Sequence, residues 1–421
     1  MIPCAEEPEG VVLSDLSSLR RTGLLCVLIA FVAGLAAYRM QPLIADSRDA
    51  LATGIGIDYR AIVYAPNILI SERENPWNPE ASVPRFGPHP TAPIWPVAYV
   101  AFPLLSRIGY TTGLTFFLLC SALLVVCGCG RIARSLGLSR LAALLVASLV
   151  ALSPTHLFNV ALGQTGAGAV AAVAFFAVRC RENPMWWHQL EKWIYGAAIL
   201  LLFAKPTFAI TFLAANLAYE RSARVFLKFL AAAFAIGLAS FVSIVLRSGE
   251  GVGTILRSMR ATSSILGQDT GNGLDGDRLD YISLFWPSST IDLVALVAVA
   301  AGLLWLNRLT NADLRERLVL GVGLVTIGSY HHPYDSLPLL ALLCVTLSVW
   351  PAPRKALLGI GLVASGWLYG FTALRKAITR VITIDFYALA ARMIFIVVVG
   401  VLVVTYLDIR RRQNADSITS T

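Results

Sequence analysis

Residues 112–130 read TGLTFFLLCSALLVVCGCG, a run that contains no charged residue and ends directly before Arg131. A chain needs roughly 20 such residues in a helix to cross the hydrocarbon core of a bilayer. Similar runs recur along the sequence, and 57% of its 421 residues are hydrophobic whereas 14% are charged. Soluble domains contain about 25% charged residues on average. The sequence therefore predicts an all-α polytopic membrane protein.

The basic residues form short clusters beside the apolar runs. Such clusters mark the cytoplasmic ends of membrane helices, so the net charge of +9 indicates membrane topology and no nucleic-acid partner. Applied from Arg20 and Arg21 onward, this rule predicts about twelve crossings with both termini in the cytoplasm. The predicted spans are Leu24–Tyr38, Thr112–Gly130, Leu141–Leu157, Gln164–Val178, Trp193–Ala218 (two half-helices), Val225–Leu246, Ile291–Leu306, Leu318–Tyr330, Ser336–Trp350, Ala356–Leu374 and Ala388–Tyr406.

Two apolar segments contain proline and are not expected to form single membrane-crossing helices. Trp193–Ala218 contains Lys205–Pro206 at its middle, and we expect two half-helices that meet near the outer face, because proline disrupts a helix interior. Ile94–Arg107 is too short for a crossing, and we expect an interfacial or re-entrant helix there. A single polytopic domain, residues 24–407, then lies between cytoplasmic tails at 1–23 and 408–421, with large outer loops at 41–111 and 247–290.

The cysteines and histidines follow no metal-site spacing. Cys127 and Cys129 are one residue apart, which fits no CxxC site, and the adjacent His331 and His332 lack the spacing of an HExxH helix. We therefore expect no disulfide framework, no metal site at these cysteines and histidines, and no cofactor, and the sequence leaves open whether the protein requires a metal.

The first outer loop contains the most unusual polar sequence. Residues 54–96 read GIGIDYRAIVYAPNILISERENPWNPEASVPRFGPHPTAPIWP. Apolar residues after Asp58 recur at helical spacing, while Arg60, Asn67 and Glu72 fall on the opposite side, so the pattern predicts an interfacial helix broken near Pro66.

The predicted topology brings many polar side chains to the outer surface. Ionisable groups at membrane depth are costly and mark function by default. The polar residues predicted to lie on the outer side are Asp58, His89, Gln164, Lys205, His331, His332, Asp335, Arg375, Lys376 and Arg380.

Several of these residues lie in motifs that resemble glycosyltransferase family 87. This family comprises membrane enzymes that use polyprenyl-phosphate sugars, including mannosyltransferases of phosphatidylinositol mannoside synthesis. One departure is Gly166, where the family usually has an asparagine two residues after the glutamine. The motifs that carry the resemblance are Asp58–Tyr59, Tyr64, Asn75–Pro76–Trp77–Asn78, Pro88 to Pro96, Gly163–Gln164, Lys205–Pro206 and Ser329 to Asp335.

The resemblance implies the C-type glycosyltransferase fold, with the active site between the first outer loop and the helix bundle. It also implies that Tyr59 and Tyr64 contribute to the substrate site. The donor would be a polyprenyl-phosphate-linked sugar, mannose-like or related, and the acceptor a lipid or glycan outside the cytoplasmic membrane.

The chemistry of such a transfer assigns roles to individual side chains. A base must take the proton of the acceptor hydroxyl, and cations must stabilise the departing phosphate. We expect Asp58 to be the base, although it would also suit the N-cap of the following helix. Lys205 would bind the phosphate, or alternatively extend to the membrane surface. One histidine, His332 or His331, would assist.

Weaker expectations concern three further residues. Gln164 would donate to a sugar hydroxyl or satisfy a helix end, and His89 would contact a substrate or remain a loop residue. Arg375 would bind phosphate or an anionic headgroup, or lie in an exposed loop.

We therefore expect an inverting glycosyltransferase of the bacterial inner (cytoplasmic) membrane, with membrane lipids around it and its site facing outward. The alternative is a multispan transporter or flippase that uses Asp58 and Lys205 as a coupling pair. A transporter is expected to show internal repeats and polar groups at the bilayer midplane, and neither feature is visible in the sequence. A membrane scaffold without activity is a third possibility.

Overall fold

The structure is a computed structural model of the 421-residue chain. The residues that it describes are 56–86, 95–97, 107–153, 156, 159, 163–164, 166–179, 186–204, 206–269, 289–306, 308–309, 312–328, 341 and 386–419. Within these ranges every regular element is helical.

Thirteen α-helices and one π-helical turn are described. The first helix, α1, continues without a break through the π-helical turn Arg60–Tyr64 into α2. The helices are α1 Ile57–Tyr59, α2 Ala65–Ser71, α3 Pro79–Phe86, α4 Tyr110–Ser135, α5 Arg140–Ala151, α6 Ala167–Arg179, α7 Trp186–Leu202, α8 Pro206–Glu220, α9 Arg224–Ser248, α10 Val252–Asp269, α11 Ser289–Leu306, α12 Leu314–Gly328 and α13 Phe386–Thr419.

Two of the described helices, α4 and α9, are long and apolar enough to cross a membrane. At 1.5 Å per residue each is roughly 37–39 Å long, which exceeds the ~30 Å hydrocarbon core. Helix α9 also presents a stripe of large exposed apolar side chains along its length. A stripe of this kind faces lipid in a membrane protein. It consists of Leu227, Leu230, Phe234, Leu238, Val242 and Leu246.

Most predicted spans within the described ranges correspond to helices, but their lengths differ. Trp193–Ala218 is divided into α7 and α8, as the Lys205–Pro206 pair predicts. Helix α5 ends at Ala151, so the predicted span to Leu157 is too long. The count of about twelve crossings and the C-type fold remain predictions, since Leu24–Tyr38, Ala356–Leu374 and nearly all of Ser336–Trp350 lie outside the described residues.

Two helices add to the sequence prediction, and one expectation requires correction. The 247–290 loop contains a regular helix, α10, and α13 continues past Tyr406 to Thr419. The first-loop helix is not broken near Pro66, because the π-helical turn precedes this proline and the Ala65 N–H bonds to the Arg60 carbonyl.

Contacts between helices show which ends of the bundle coincide. Arg131, near the end of α4, forms an ion pair with Glu191, near the start of α7. The Phe176 and Tyr219 rings lie 5.4 Å apart, which brings the ends of α6 and α8 together. The predicted cytoplasmic clusters of α4, α6, α7 and α8 therefore share one end, which we name the basic end.

The opposite end contains the start of α4 and the segment before α6, and we name it the Asp58 end. A Cβ atom on Gly168, near the start of α6, would lie 2.8 Å from Leu202 at the end of α7. The break between α7 and α8 therefore also lies at the Asp58 end.

The first loop and helix α10 pack against each other at this end. The Asn75 amide donates to Glu250 at 2.8 Å and to Ser258 at 3.2 Å. The Thr262 hydroxyl donates to the Trp77 carbonyl at 2.7 Å, and the Trp77 ring is fully buried. The Asn-Pro-Trp-Asn motif thus joins the first loop to α10.

Trp95 fixes the return of the first loop onto α9. Its indole N–H donates to the Ala233 carbonyl at 3.0 Å, and its ring stacks on Phe234. A Cβ atom on Gly237 would lie 1.8 Å from the indole nitrogen, so only glycine permits this approach.

Candidate functional site

Asp58 lies in the first turn of α1 and is held by a residue from a distant part of the chain. The side-chain amide of Gln164 donates a hydrogen bond to its carboxylate. Asp58 is the second residue of the helix and not its N-cap, a position where the helix macrodipole favours a negative charge. Gln164 is 4% exposed, whereas Asp58 is half-buried. The structure therefore brings two of the predicted site residues into contact.

Gly163 makes this contact possible. Its φ of +71° is unfavourable for other residues, and a Cβ atom there would lie 2.5 Å from the Tyr59 Cβ. The turn before α6 thus packs directly on the backbone of α1. Since Gln164 follows Gly163, this close approach sets the distance from its amide to Asp58.

Tyr110, at the start of α4, supports the same helix from another side. Its hydroxyl donates to the Gly56 carbonyl at 3.3 Å, and its ring lies 5.8 Å from Tyr59 and 5.2 Å from Tyr64. Tyr59 is fully buried and also contacts Phe117. The structure thus places Tyr59 as a packing residue beneath Asp58, and Tyr64 half-buried in the same aromatic cluster.

Arg60 and Asn67 correct the predicted polar face of this helix. Both were expected to face solvent, but Arg60 is 2% exposed and Asn67 is 8% exposed. Burial lowers the pKa of the Arg60 guanidinium from its usual value. The buried cation lies two residues from Asp58, so the helix carries opposite charges close to the candidate site.

His156 and Asn159 are two buried polar residues that the sequence analysis did not assign. His156 lies beyond the end of α5 and is 3% exposed. Its Nδ1 lies 2.7 Å from the Ala151 carbonyl, which can only accept, so Nδ1 carries the proton and Nε2 is an acceptor. Among the described residues Nε2 meets no donor. Burial lowers the pKa of His156, which favours the neutral ring.

Asn159 contacts the segment before α6 at the Asp58 end. Its carbonyl accepts a hydrogen bond from the Gln164 N–H at 3.0 Å, and it is 1% exposed. A Cβ atom on Gly166 would lie 2.2 Å from its side-chain nitrogen. The Asn159 amide thus occupies the space beside Gly166, the position where the chain departs from the family pattern. A single buried polar residue in an apolar run gives no periodic signal, which is why the sequence did not reveal it.

The remaining predicted site residues lie outside the described part of the chain. They are His89, Lys205, His331, His332 and Arg375. The flanks of Lys205 are described, and they are the end of α7 and the start of α8 at the Asp58 end. Among the described residues, no three His, Cys, Asp or Glu side chains lie together as metal ligands would.

This geometry suits acid–base chemistry on a hydroxyl. A partly exposed carboxylate, oriented by a buried amide, can accept a proton from a group that approaches from solvent.

Comparison with known proteins identifies the family. Residues 87–329 match glycosyltransferase family 87, and this segment contains His89, Gln164 and Lys205. It begins after Asp58, Tyr59 and Tyr64, so the first-loop motif lies outside it. No curated protein and no solved structure matches the chain. Because the matched segment covers more than half of the sequence, the chain belongs to glycosyltransferase family 87, a family of membrane glycosyltransferases.

Proposed function

We propose that this protein transfers a hexose, mannose-like or related, from a polyprenyl-phosphate-linked donor to a lipid or glycan acceptor. The transfer takes place at the outer surface of the cytoplasmic membrane, at the Asp58 end of the bundle. The observation that carries the proposal is the contact between Asp58 and Gln164, two motif residues far apart in the sequence. Family membership favours this enzyme over the transporter or flippase.

The proposed reaction is a single displacement with Asp58 as general base. The carboxylate takes the proton of the acceptor hydroxyl while the hydroxyl oxygen forms a bond to the anomeric carbon. The bond from that carbon to the phosphate oxygen breaks, and polyprenyl phosphate leaves with the electron pair. Attack opposite to the leaving group inverts the anomeric centre.

Gln164 orients the base in this proposal. Its amide N–H holds the carboxylate, and Gly163 holds the amide in place through its close approach to Tyr59. A base must lie within hydrogen-bond reach of the proton it accepts. Fixing the rotamer of Asp58 therefore supports the transfer without a direct role in bond breaking.

The donor phosphate needs cations, and the proposal assigns them from the sequence. Lys205 is the main phosphate ligand, assisted by His332 or His331 and by Arg375. Lys205 is supported by its flanks, since α7 ends and α8 begins at the Asp58 end. A preorganised cation beside a departing phosphate stabilises the charge that develops in the transition state.

The test compares Asp58→Asn with the wild type in purified protein reconstituted in lipid. Radiolabelled polyprenyl-phosphate sugars are supplied with candidate acceptors, and product formation is measured. We expect kcat to fall by roughly 10²–10⁴-fold, the usual contribution of a general base, with a smaller change in donor KM.

Glu80→Gln provides the matched control, because Glu80 is an exposed carboxylate of α3 in the same loop. It is expected to retain wild-type turnover. Equal turnover in the wild type and Asp58→Asn would remove Asp58 from the role of base.

A further inference from the structure

The basic end of the bundle contains charged residues that the proposed reaction does not use. They lie at the end of α8, around the start of α12 and near the end of α13, and α12 packs against both other helices. The contacts of its acids determine which of its cations they hold by hydrogen bonds.

Both acids at the start of α12, Asp313 and Glu316, accept hydrogen bonds from backbone N–H groups there. Asp313 accepts from the Glu316 N–H at 2.9 Å, and Glu316 accepts from the Asp313 N–H at 3.1 Å. This reciprocal pair is a capping box, which satisfies backbone donors at the first turn of a helix.

The same acids also hold two arginines. Arg315 donates twice to Asp313, at 2.8 and 3.1 Å. Arg412, from α13, forms an ion pair with Glu316, whose side chain is 5% exposed. In the described part of the chain, the hydrogen bonds and ion pairs of Asp313 and Glu316 therefore involve the first turn of α12, Arg315 and Arg412.

Arg317, one turn into α12, lacks a comparable partner. Its Nε and Nη1 atoms are shielded from solvent, and among the described residues they meet no hydrogen-bond acceptor. Burial lowers the pKa of Arg317 and the positive charge of Arg221 lowers it further, whereas the nearby carboxylate of Asp313 partly opposes both effects. A Cβ atom on Gly321, one turn further along α12, would lie 3.4 Å from the Ala214 carbonyl of α8. The two helices therefore pack closely, and Arg317 lies beside the end of α8, which Arg221 follows.

Arg221 has an unusual backbone at this position. It directly follows α8 with φ of +54°, a left-handed conformation that usually belongs to glycine. Desolvated N–H donors without acceptors, two like charges and a strained arginine each cost free energy. An anion between the two guanidinium groups would offset the first two of these costs.

The surroundings of these arginines indicate a lipid source for the anion. The Trp305 and Tyr406 rings lie 5.1 Å apart, close to the basic residues that follow α11 and end α13. Paired Trp and Tyr side chains are typical of the membrane–water interface. Leu407 beside them is 48% exposed, as expected for a surface that faces lipid.

We propose that Arg317 and Arg221 form a binding site for the phosphate of an anionic lipid headgroup at the basic end of the bundle. Guanidinium groups match phosphate in geometry and charge, and basic clusters between membrane helices bind anionic headgroups. The site lies at the opposite end from Asp58, so its failure would leave the proposed function unaffected.

The test uses the full-length protein in nanodiscs of phosphatidylcholine alone or with phosphatidylglycerol. The thermal midpoint of unfolding is measured for the wild type, Arg317→Gln, Arg221→Gln and Arg315→Gln. Arg315 is the matched control, since it lies two residues from Arg317 and is held by Asp313. Arg221 is exposed, so its substitution tests the site even where Arg317→Gln destabilises the fold.

Phosphatidylglycerol is expected to raise the midpoint of the wild type and of Arg315→Gln equally, and Arg317→Gln and Arg221→Gln to lose most of the rise. An equal rise in all four proteins, or none in the wild type, would overturn the site. Inorganic phosphate added to the phosphatidylcholine discs is the second arm. If it reproduced the full rise, the lipid assignment would be wrong.

Discussion

The two ends of the bundle are held together by different forces. At the Asp58 end, Gly163 allows the turn before α6 to touch the backbone of Tyr59, and the neutral amide of Gln164 donates a hydrogen bond to the carboxylate of Asp58. At the basic end, ion pairs such as Arg131–Glu191 and Arg412–Glu316 join neighbouring helices.

The two ends therefore affect different properties: close packing at the Asp58 end sets the geometry of the candidate site, and ion pairs at the basic end contribute to the stability of the fold. A close backbone contact tolerates no added atom, because packed interiors relax little. In each of these ion pairs at least one partner is partly exposed, so solvent screens the pair and its loss costs only modest stability. Substitutions at the Asp58 end should therefore change activity strongly, whereas those at the basic end should change stability modestly.

Among substitutions that change packing or charge around Asp58 while leaving Asp58 itself in place, Gly163→Ala is expected to have the largest effect. The added Cβ would lie 2.5 Å from the Tyr59 Cβ, and φ is +71°, so the turn must move and displace Gln164. We expect kcat to fall by about 100-fold, as for an ångström-scale displacement at a reacting site. Turnover is measured with the labelled donor.

The matched control for Gly163 is Gly137→Ala at the basic end. Gly137 also has positive φ, +89°, but nothing lies within 4 Å of an added Cβ. It is expected to cost only about 1 kcal/mol of stability through backbone strain. Similar kcat losses in both variants would show that the close contact has no special role.

The next largest effect concerns Gln164→Glu. A second carboxylate beside Asp58 would raise the pKa of the base, because like charges disfavour ionisation. The base acts when deprotonated, so the acid limb of the kcat–pH profile should move to higher pH. Gln164→Leu should instead lower kcat roughly tenfold through lost orientation, without that shift. An unchanged profile in Gln164→Glu would contradict the contact.

Glu316→Gln tests the contribution of the basic end to stability. It weakens the capping box of α12 and removes the ion pair to Arg412. We expect a loss of about 1–2 kcal/mol in the free energy of unfolding, mainly from the cap, because Arg412 is half-exposed. Thermal unfolding measures this loss, while kcat should stay unchanged. A large fall in kcat with little loss of stability would mean that the two ends are coupled.

The smallest effect is expected from His156 and depends on pH. Burial lowers its folded-state pKa below the ordinary value of 6.5, so the native state binds this proton less readily than the unfolded state. The stability from the neutral ring is present above pH 6.5 and is lost as pH falls, by at most about 1.4 kcal/mol per pH unit. His156→Gln has no imidazole at this position and therefore does not lose stability in this way as the pH falls. Its midpoint should fall less than that of the wild type between pH 7 and pH 5, and parallel curves would refute this.

The sequence predicted the contact between motifs better than it predicted the local packing. The basic clusters predicted the direction of each helix across the membrane. The predicted directions placed Asp58 and Gln164 at the same end of the bundle, and the hydrogen bond between them confirms that they meet. The Lys205–Pro206 pair likewise predicted the division between α7 and α8.

Other features depend on information that periodicity does not contain. The π-helical turn Arg60–Tyr64 adds a residue to one turn, which shifts the buried face and explains why Arg60 was wrongly placed in solvent. Helix α10 was missed because its mixed polarity does not match a membrane span. The packing of Gly163 on Tyr59 is a tertiary contact between distant residues, and no local pattern indicates it.

A double-mutant cycle of Asp58→Asn and Gln164→Leu tests the central claim most directly, with kcat measured for all four proteins. If Gln164 acts by orienting the carboxylate of Asp58, its substitution should cost roughly tenfold in the wild type and nothing further once Asp58 is asparagine. Additive losses, with the same factor for Gln164→Leu in both backgrounds, would contradict the account.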